Sequence, residues 1–89
     1  MNDFMVRQEK EKAEKRIEDL WEVMRVISKN IKFAQQTLDG QMKNGFVPSP
    51  SLLSDVASMA RSMQNAVESI GFEQRMVNTL SNTLKYMEA

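Results

Sequence analysis

The stretch NGFVPSPSLLSD, residues 44–55, is the one place in this chain where the regular spacing of apolar residues stops. Asn44 and Gly45 are typical of a helix C-terminus, where glycine readily adopts the left-handed backbone conformation. Ser49 can cap the next helix, and Pro50 has the backbone geometry preferred at a first helical position. The stretch therefore predicts a short turn between two helices rather than a linker between two domains.

The half of the chain before this turn predicts one long helix. From Asp3 to about Lys43 it contains no proline, and Asp3 is the expected N-cap. Gly40 is compatible with either a C-cap or an interior position of this helix. Seven apolar residues alternate steps of three and four, which places them along one stripe of the helix. They are Ile17, Leu20, Met24, Ile27, Ile31, Ala34 and Leu38.

The half after the turn repeats this pattern without a break, and ten of its eleven stripe positions are apolar. A short loop between two helices of similar length turns the chain back on itself, so the helices should lie antiparallel. The predicted fold class is all-α, an antiparallel helical hairpin about 60 Å long at a rise of 1.5 Å per residue. The stripe positions are Leu52, Val56, Met59, Met63, Ala66, Ile70, Glu73, Val77, Leu80, Leu84 and Met87.

The start of the chain differs from the rest in composition. In RQEKEKAEKR the only apolar residue is Ala13. We therefore divide the chain into a charged helical N-terminal extension, residues 1–16, and a helical hairpin, residues 17–89, whose turn lies at about residues 44–50. Ion pairs of neighbouring turns stabilise such an exposed or frayed extension only slightly. The alternative is an arm that docks on another chain through Phe4, Met5 and Val6.

One segment of the second helix, IGFEQR at residues 70–75, conflicts with the pattern. Gly71 costs a helix interior about 1 kcal/mol relative to alanine, and Glu73 brings a charge into the apolar stripe. Either the helix kinks or ends near Gly71 and turns Glu73 outward, or Glu73 pairs with an arginine or lysine across the helix interface and fixes the register. A break would create a third helix from about Phe72 to Met87.

Composition limits the chemistry that this chain can perform. Its 89 residues suffice for one small domain, and they include no cysteine and no histidine. Disulfides, thiolate chemistry, the commonest transition-metal ligand and the usual acid–base group at neutral pH are therefore missing. The serines of the second half lack a general base, and no glycine-rich phosphate loop occurs. We expect a protein that is not an enzyme and has no cofactor and no metal site.

Charge and hydropathy indicate where the protein acts. Twelve basic and twelve acidic residues cancel, which leaves no net field to attract nucleic acid or an anionic membrane. The first residues lack the pattern of a secretory signal, and no apolar run approaches the about 20 residues of a membrane span. We expect no membrane association and a cytoplasmic location, in a bacterial cell or a phage-infected host.

Both helices carry more apolar residues than a two-helix contact needs. A second stripe on the first helix contains Val23, Val26 and Phe33, and Trp21 flanks the first stripe. Contiguous apolar patches of this kind normally mark an interface, although splayed helices with a wider core would also use them. We expect a homodimer or higher oligomer in the form of a helical bundle. The predicted partner or oligomer interface comprises Trp21, Val23, Val26, Phe33, Leu53, Val67, Phe72 and Met76.

Basic residues suggest a second kind of site. Arg25, Lys29 and Lys32 form a row opposite the apolar stripe of the first helix, and acidic neighbours weaken its field. Such a row could contact phosphate groups between subunits. The candidate anion-binding residues are Arg25, Lys29, Lys32, Arg61 and Arg75.

The turn also carries a resemblance, because Pro48, Ser49, Pro50, Leu52 and Leu53 lead from a Pro/Ser loop into an apolar helix. From about Ala34 to the end, the chain resembles the needle subunits of type III secretion systems and their small helical co-chaperones. The charged residues before Ile17 depart from the needle pattern. The oligomerising hairpins of phage small terminase subunits have the same outline. Both resemblances imply self-assembly, and neither implies a role for a particular residue.

Three classes of function remain open at this point. The one we favour is a protein-binding adaptor, small chaperone or inhibitor, a class that includes phage-encoded proteins, which self-associates and presents helical faces to a partner. The second is a self-assembling structural or secretion-system subunit or co-chaperone, which would form open-ended polymers. The third is an oligomer that binds a nucleotide or nucleic acid through basic residues between its subunits.

Overall fold

A computed structural model describes residues 2–88 of the chain. Helix α1 spans Asp3–Lys43 and helix α2 spans Pro50–Glu88, and the two pack against each other along a rod that measures 68 × 15 × 15 Å. No strand occurs among the described residues. The predicted all-α, antiparallel helical hairpin is confirmed.

The start of α1 corrects one detail of the prediction. Asn2, not Asp3, is the N-cap: its backbone is extended, with φ −83° and ψ 166°, and its side chain accepts a hydrogen bond of 2.8 Å from the Met5 backbone N–H. An N-cap residue needs this non-helical backbone, whereas Asp3 is already the first helical residue. Asp3 instead accepts a hydrogen bond from the guanidinium of Arg7, one turn further along.

The turn between the helices has the geometry that its glycine predicts. Gly45 has a φ of +76°, and its N–H donates to the Met42 carbonyl at 3.1 Å. The Phe46 N–H donates to the Gln41 carbonyl at 2.8 Å, and these two bonds together form a Schellman motif. α1 thus continues through Gly40 and ends at Lys43, and α2 begins at the expected proline.

The core of the hairpin is thin. Among the described residues, six apolar side chains are buried, and the other stripe residues are half-buried except Met87, which is exposed. Four of the six belong to the two stripes, and Val6 and Ala13 extend the first stripe toward the N-terminus in steps of seven residues. This is the spacing that an antiparallel coiled coil requires. The buried residues are Val6, Ala13, Ala34, Ala66, Val77 and Leu84.

The first sixteen residues are packed where the sequence analysis expected an exposed extension. Val6 and Ala13 are 1% and 0% exposed, within the same continuous helix as the rest of α1. Helix α2 is long enough to lie alongside them, as the ion pair between Arg7 and Glu88 shows. Of the three residues of the predicted docking arm, Val6 is covered within the single chain and Met5 is 49% exposed. Phe4 remains exposed.

The structure also resolves the conflict near Gly71, because α2 continues through it without a break. Glu73 stays in the helix contact, where one carboxylate oxygen lies 2.9 Å from Nε of Arg16 and the side chain is only 13% exposed. A terminal guanidinium nitrogen of Arg16 also lies 3.6 Å from Sδ of Met76. The hydrogen bond to Glu73 raises the pKa of Arg16 above its ordinary value. The alternative of a charge paired across the helix contact is therefore the one observed.

This ion pair leads to an asymmetric prediction. The second carboxylate oxygen of Glu73 is buried and has no hydrogen-bond partner in the described chain, a situation that costs about 1–3 kcal/mol. We therefore expect Glu73→Leu to raise the thermal midpoint, because an apolar side chain suits the stripe. Arg16→Ala should lower the midpoint, because it leaves the carboxylate wholly unpaired. Thermal unfolding followed by circular dichroism measures both.

The matched control for Glu73→Leu is Glu68→Leu, which makes the same replacement at an exposed position of α2. We expect Glu68→Leu to leave the midpoint nearly unchanged. Equal losses of stability in Glu73→Leu and Arg16→Ala would show that the ion pair itself stabilises the hairpin, contrary to this account.

Candidate interaction surface

The contact between α1 and α2 divides the rest of the rod into two sides. Successive residues of a helix are rotated by about 100°, so Trp21 and Val23 lie about 200° apart and flank the stripe on opposite sides. One shallow groove is lined by Val23 together with Ser69 and Glu73 of α2, which assigns Ser69 to the side of Val23. By the same spacing, Val67 lies on the side of Trp21.

The eight predicted interface residues therefore do not form one surface. We call the side with Val23, Val26, Phe33, Phe72 and Met76 the valine face, and the side with Trp21, Leu53 and Val67 the tryptophan face. Seven of the eight are exposed, from 47% for Val23 to 72% for Phe33, and Met76 is half-buried beneath Arg16. The structure thus brings five of these residues to one side and places three on the other.

The valine face carries little charge. Beyond Asp19, helix α1 presents only uncharged residues on this side, namely Val23, Val26, Asn30, Phe33, Thr37 and Gly40. Helix α2 presents one acid, Asp55, near the turn, and is otherwise uncharged on this side. Its residues there are Ser51, Ser58, Ser62, Asn65, Ser69, Phe72, Met76, Thr79, Thr83 and Tyr86. The middle of the valine face is thus free of ionisable side chains.

The tryptophan face differs in this respect. Helix α1 lines it with charged residues on most turns, namely Glu11, Glu14, Glu18, Arg25, Lys32 and Asp39. The apolar residues Trp21 and Met42 stand between these charges, 49% and 57% exposed. Helix α2 contributes an uncharged strip that includes Leu53, Ala57, Ala60 and Val67. This side therefore resembles a mixed protein surface with separate apolar anchors.

Side-chain size differs between the two helices in the middle of the valine face. The large side chains there are on α1 and the small ones are on α2. Phe33 and Ser58 line the same groove, and Val23 and Ser69 line another, so each pair lies at one height along the rod. Val26 lies between these grooves, and counting along both helices places it at the height of Asn65. Larger side chains return in the C-terminal half of α2, at Phe72, Met76 and Tyr86.

The candidate anion-binding residues are all exposed, and a single chain does not bring them together. Arg25 is paired with Glu22 at 2.8 Å. Lys29 follows on the outer surface of α1, and Lys32 lies on the tryptophan face, seven residues after Arg25. Arg61 and Arg75 lie on the outer surface of α2, fourteen residues or about 21 Å apart. Within residues 2–88, none of the last four has a carboxylate within 4.0 Å. Binding between subunits stays a prediction.

Two features of the surface escaped the sequence analysis although a signal for each was present. Tyr86, 87% exposed, is fourteen residues after Phe72 and so extends the valine face by two heptads. The burial of Ala13 follows from the same rule, because Ala13 precedes Leu20 by seven residues. Tyr86 carries a polar hydroxyl and Ala13 is small, so the heptad position of each residue, and not its hydropathy, indicates its place.

Comparisons with protein-family models, with curated proteins and with solved structures found no match for this chain. Neither helix of the described chain has an apolar stretch that could cross a membrane. The interpretation of the two faces therefore rests on the geometry and charge of this chain alone.

Proposed function

We propose that this chain is a non-enzymatic helical interaction protein that self-associates through the valine face and binds a protein partner through the tryptophan face. Such a protein acts as an adaptor, a small chaperone or an inhibitor of its partner. A cytoplasmic location, in a bacterial cell or a phage-infected host, is part of the proposal, and a phage origin is compatible with it.

The observation that carries this proposal is the exposed, uncharged middle of the valine face. Phe33 is 72% exposed and Val26 is 51% exposed. The charged residues of this face that lie nearest to them are Asp55, which lines the groove beside Phe33, and Asp19. The cores of protein interfaces are depleted in charge in the same way. Removing apolar surface from water contributes about 25 cal/mol for each Å² that is buried. Association with another chain that removes this face from water is therefore favourable.

The thin core of the hairpin supports the same conclusion. A domain of this size is marginally stable even with a complete core, and disulfides, metals or association usually supply the remainder. With six buried apolar residues between positions 2 and 88, and no cysteine in the sequence, this hairpin gains little from its own interior. Burial against another chain is the remaining source of stability.

The partner part of the proposal rests on the residues that self-association through the valine face leaves exposed. Trp21, Leu53 and Val67 would stay in contact with solvent, at 49–51% exposure. Tryptophan is among the residues that most often dominate a binding surface, because it combines a large apolar area with few rotatable bonds. The surrounding charges would form the polar rim of such a contact.

Affinity capture from the host cell tests the partner site, with variants that separate the two faces. We expect the wild-type chain to retain a specific protein and Trp21→Ser to lose at least about nine-tenths of it, a loss typical of a dominant interface residue. Trp21→Ser should self-associate normally. The matched control is Ser28→Ala, which lies on the same face one heptad further along and should bind the partner like the wild type. Equal capture by Trp21→Ser and the wild type would remove the tryptophan face from the proposal.

A further inference from the structure

Resting on the proposed self-association, we infer that the occupant of the valine face is a second copy of this chain, related by a two-fold axis parallel to the rod. In this dimer the hairpin turns lie side by side at the same end. Helix α1 of each copy covers α2 of the other, which forms a four-helix bundle with antiparallel neighbours.

The size of the face fits a dimer. A side of the rod measures 68 by 15 Å, which is on the order of 1,000 Å². A standard stable interface buries about 800 Å² on each partner. Two hairpins that overlap along their full length therefore reach the area of a stable interface, whereas a short peptide would cover only part of the face.

The side chains of the face complement one another. A two-fold axis parallel to the rod keeps each residue at its own height but exchanges α1 with α2. Phe33 of one copy then faces Ser58 of the other, and Val23 faces Ser69. Val26 faces Asn65 between them. In this middle region of the face each large side chain of α1 thus meets a small one of α2, which allows the close interdigitation of a packed core. In a two-fold dimer both copies use the same surface, so that surface must supply both the large and the small member of each pair.

The charges of the face agree with this arrangement. The charged residues of α1 on this side, Arg16 and Asp19 among them, lie at the heights of Met76 and Phe72 of α2. The one charged residue of α2 on this side, Asp55, lies near Thr37. When α1 covers α2 of the second copy, no like charges of the face meet.

The competing dimer has its two-fold axis perpendicular to the rod. It stacks α1 on α1 and α2 on α2 with the hairpin turns at opposite ends. An axis at the height of Val26, in the middle of the uncharged region, would place Phe33 over Asp19 of the second copy and Val26 over Val26. This arrangement gives up the pairing of large with small side chains in the middle of the face. A carboxylate also lies against an aromatic ring in the inferred dimer, where Asp19 meets Phe72, so the pairing of side-chain sizes is what distinguishes the two dimers.

A distance measurement between the two turns distinguishes these dimers. The chain has no cysteine, and Val47 in the turn is 90% exposed, so Val47→Cys accepts a single spin label without disturbing either face. Double electron–electron resonance should report a distance below about 35 Å, because neighbouring helices pack about 10 Å apart. Turns at opposite ends would lie close to the 68 Å length of the rod.

The outcomes separate this inference from the proposed function. A long distance in a dimer would overturn the parallel two-fold axis and leave self-association intact. A folded, labelled chain with the mass of one copy and no dipolar coupling would overturn both, and would leave the valine face to a different protein. A distance below about 35 Å in a dimer supports the inference.

A pair of variants tests the inferred contact without a label. Ser58→Phe places a ring where Phe33 of the second copy should pack, and we expect it to weaken dimerisation by at least about tenfold through overpacking. The control Ser54→Phe adds the same ring on the outer surface of α2 and should dimerise like the wild type. Sedimentation equilibrium measures both. Unchanged dimerisation of Ser58→Phe would contradict the inferred pairing.

Discussion

Replacing Ala13 with aspartate is expected to destabilise the hairpin by at least about 3 kcal/mol, because the position is 0% exposed and a carboxylate there would be removed from water. Native domains are stable by only about 5–15 kcal/mol in total. We therefore expect the thermal midpoint to fall by at least about 15 °C. Thermal unfolding followed by circular dichroism at 222 nm measures the change.

The destabilisation should depend on pH in a defined direction. Burial disfavours the ionised form, so the pKa of the introduced aspartate would be raised in the folded state above the about 3.9 of an unfolded chain. The penalty is then fully present above the raised folded-state pKa and disappears as the pH falls toward about 4. The loss of stability at Ala13→Asp should therefore be largest near neutral pH and smallest in acid.

The matched control is Gln8→Asp, which introduces the same residue on the exposed outer surface of the same segment. We expect it to change the midpoint by a few degrees at most, with little dependence on pH beyond that of the wild type. If Ala13→Asp behaved like Gln8→Asp, the first sixteen residues would be an exposed extension after all, and Val6 and Ala13 would not belong to the core.

The fold was predictable because its determinants are local and periodic. The turn residues, the two apolar stripes and the absence of proline inside either half are all readable without tertiary information. The first sixteen residues were harder, because a helix contact needs only one small apolar residue every seven positions. Ala13 fills such a position among charged neighbours and contributes little to any measure of average hydropathy.

The interaction surface was predictable only in part. Seven-residue spacing identifies the apolar residues outside the stripe, but their division between two faces depends on which side of the stripe each one flanks. The partner of Glu73 was not predictable either. Arg16 precedes it by 57 residues, and the register that joins them is set by the length of the turn. Local sequence gives no access to such a long-range pairing.

The double variant Val26→Asp, Phe33→Asp is expected to abolish self-association while the chain remains helical. Each substitution places a carboxylate in the uncharged middle of the valine face, where a second copy would have to bury it. We expect the dissociation constant to rise by at least about a hundredfold, as when dominant interface residues are lost. Both positions are exposed in the single chain, so the helices themselves should form. Sedimentation equilibrium and circular dichroism measure the two effects.

The control for this variant is Lys29→Asp, Gln36→Asp, which adds two carboxylates on the outer surface of the same helix at nearly the same heights. We expect this control to self-associate like the wild type, within about threefold, because exposed charges that do not meet across the contact contribute little. Normal association of the Val26→Asp, Phe33→Asp variant would show that the valine face is not the site of self-association.

The control also bears on the anion-binding alternative. Lys29→Asp removes one of the basic residues that could contact a phosphate group between subunits. A nucleotide or nucleic acid held by this row should therefore bind the wild type in a salt-dependent manner and bind the control more weakly. Binding that is equal in both chains would remove Lys29 from such a site without affecting the assignment of the valine face.

Sedimentation equilibrium of the purified wild-type chain, over a wide range of concentrations, measures whether the hairpin self-associates. We expect a closed dimer with twice the chain mass of 10.2 kDa. A well-folded species with the mass of one chain at every concentration would contradict it, because the valine face would then be stable in contact with water.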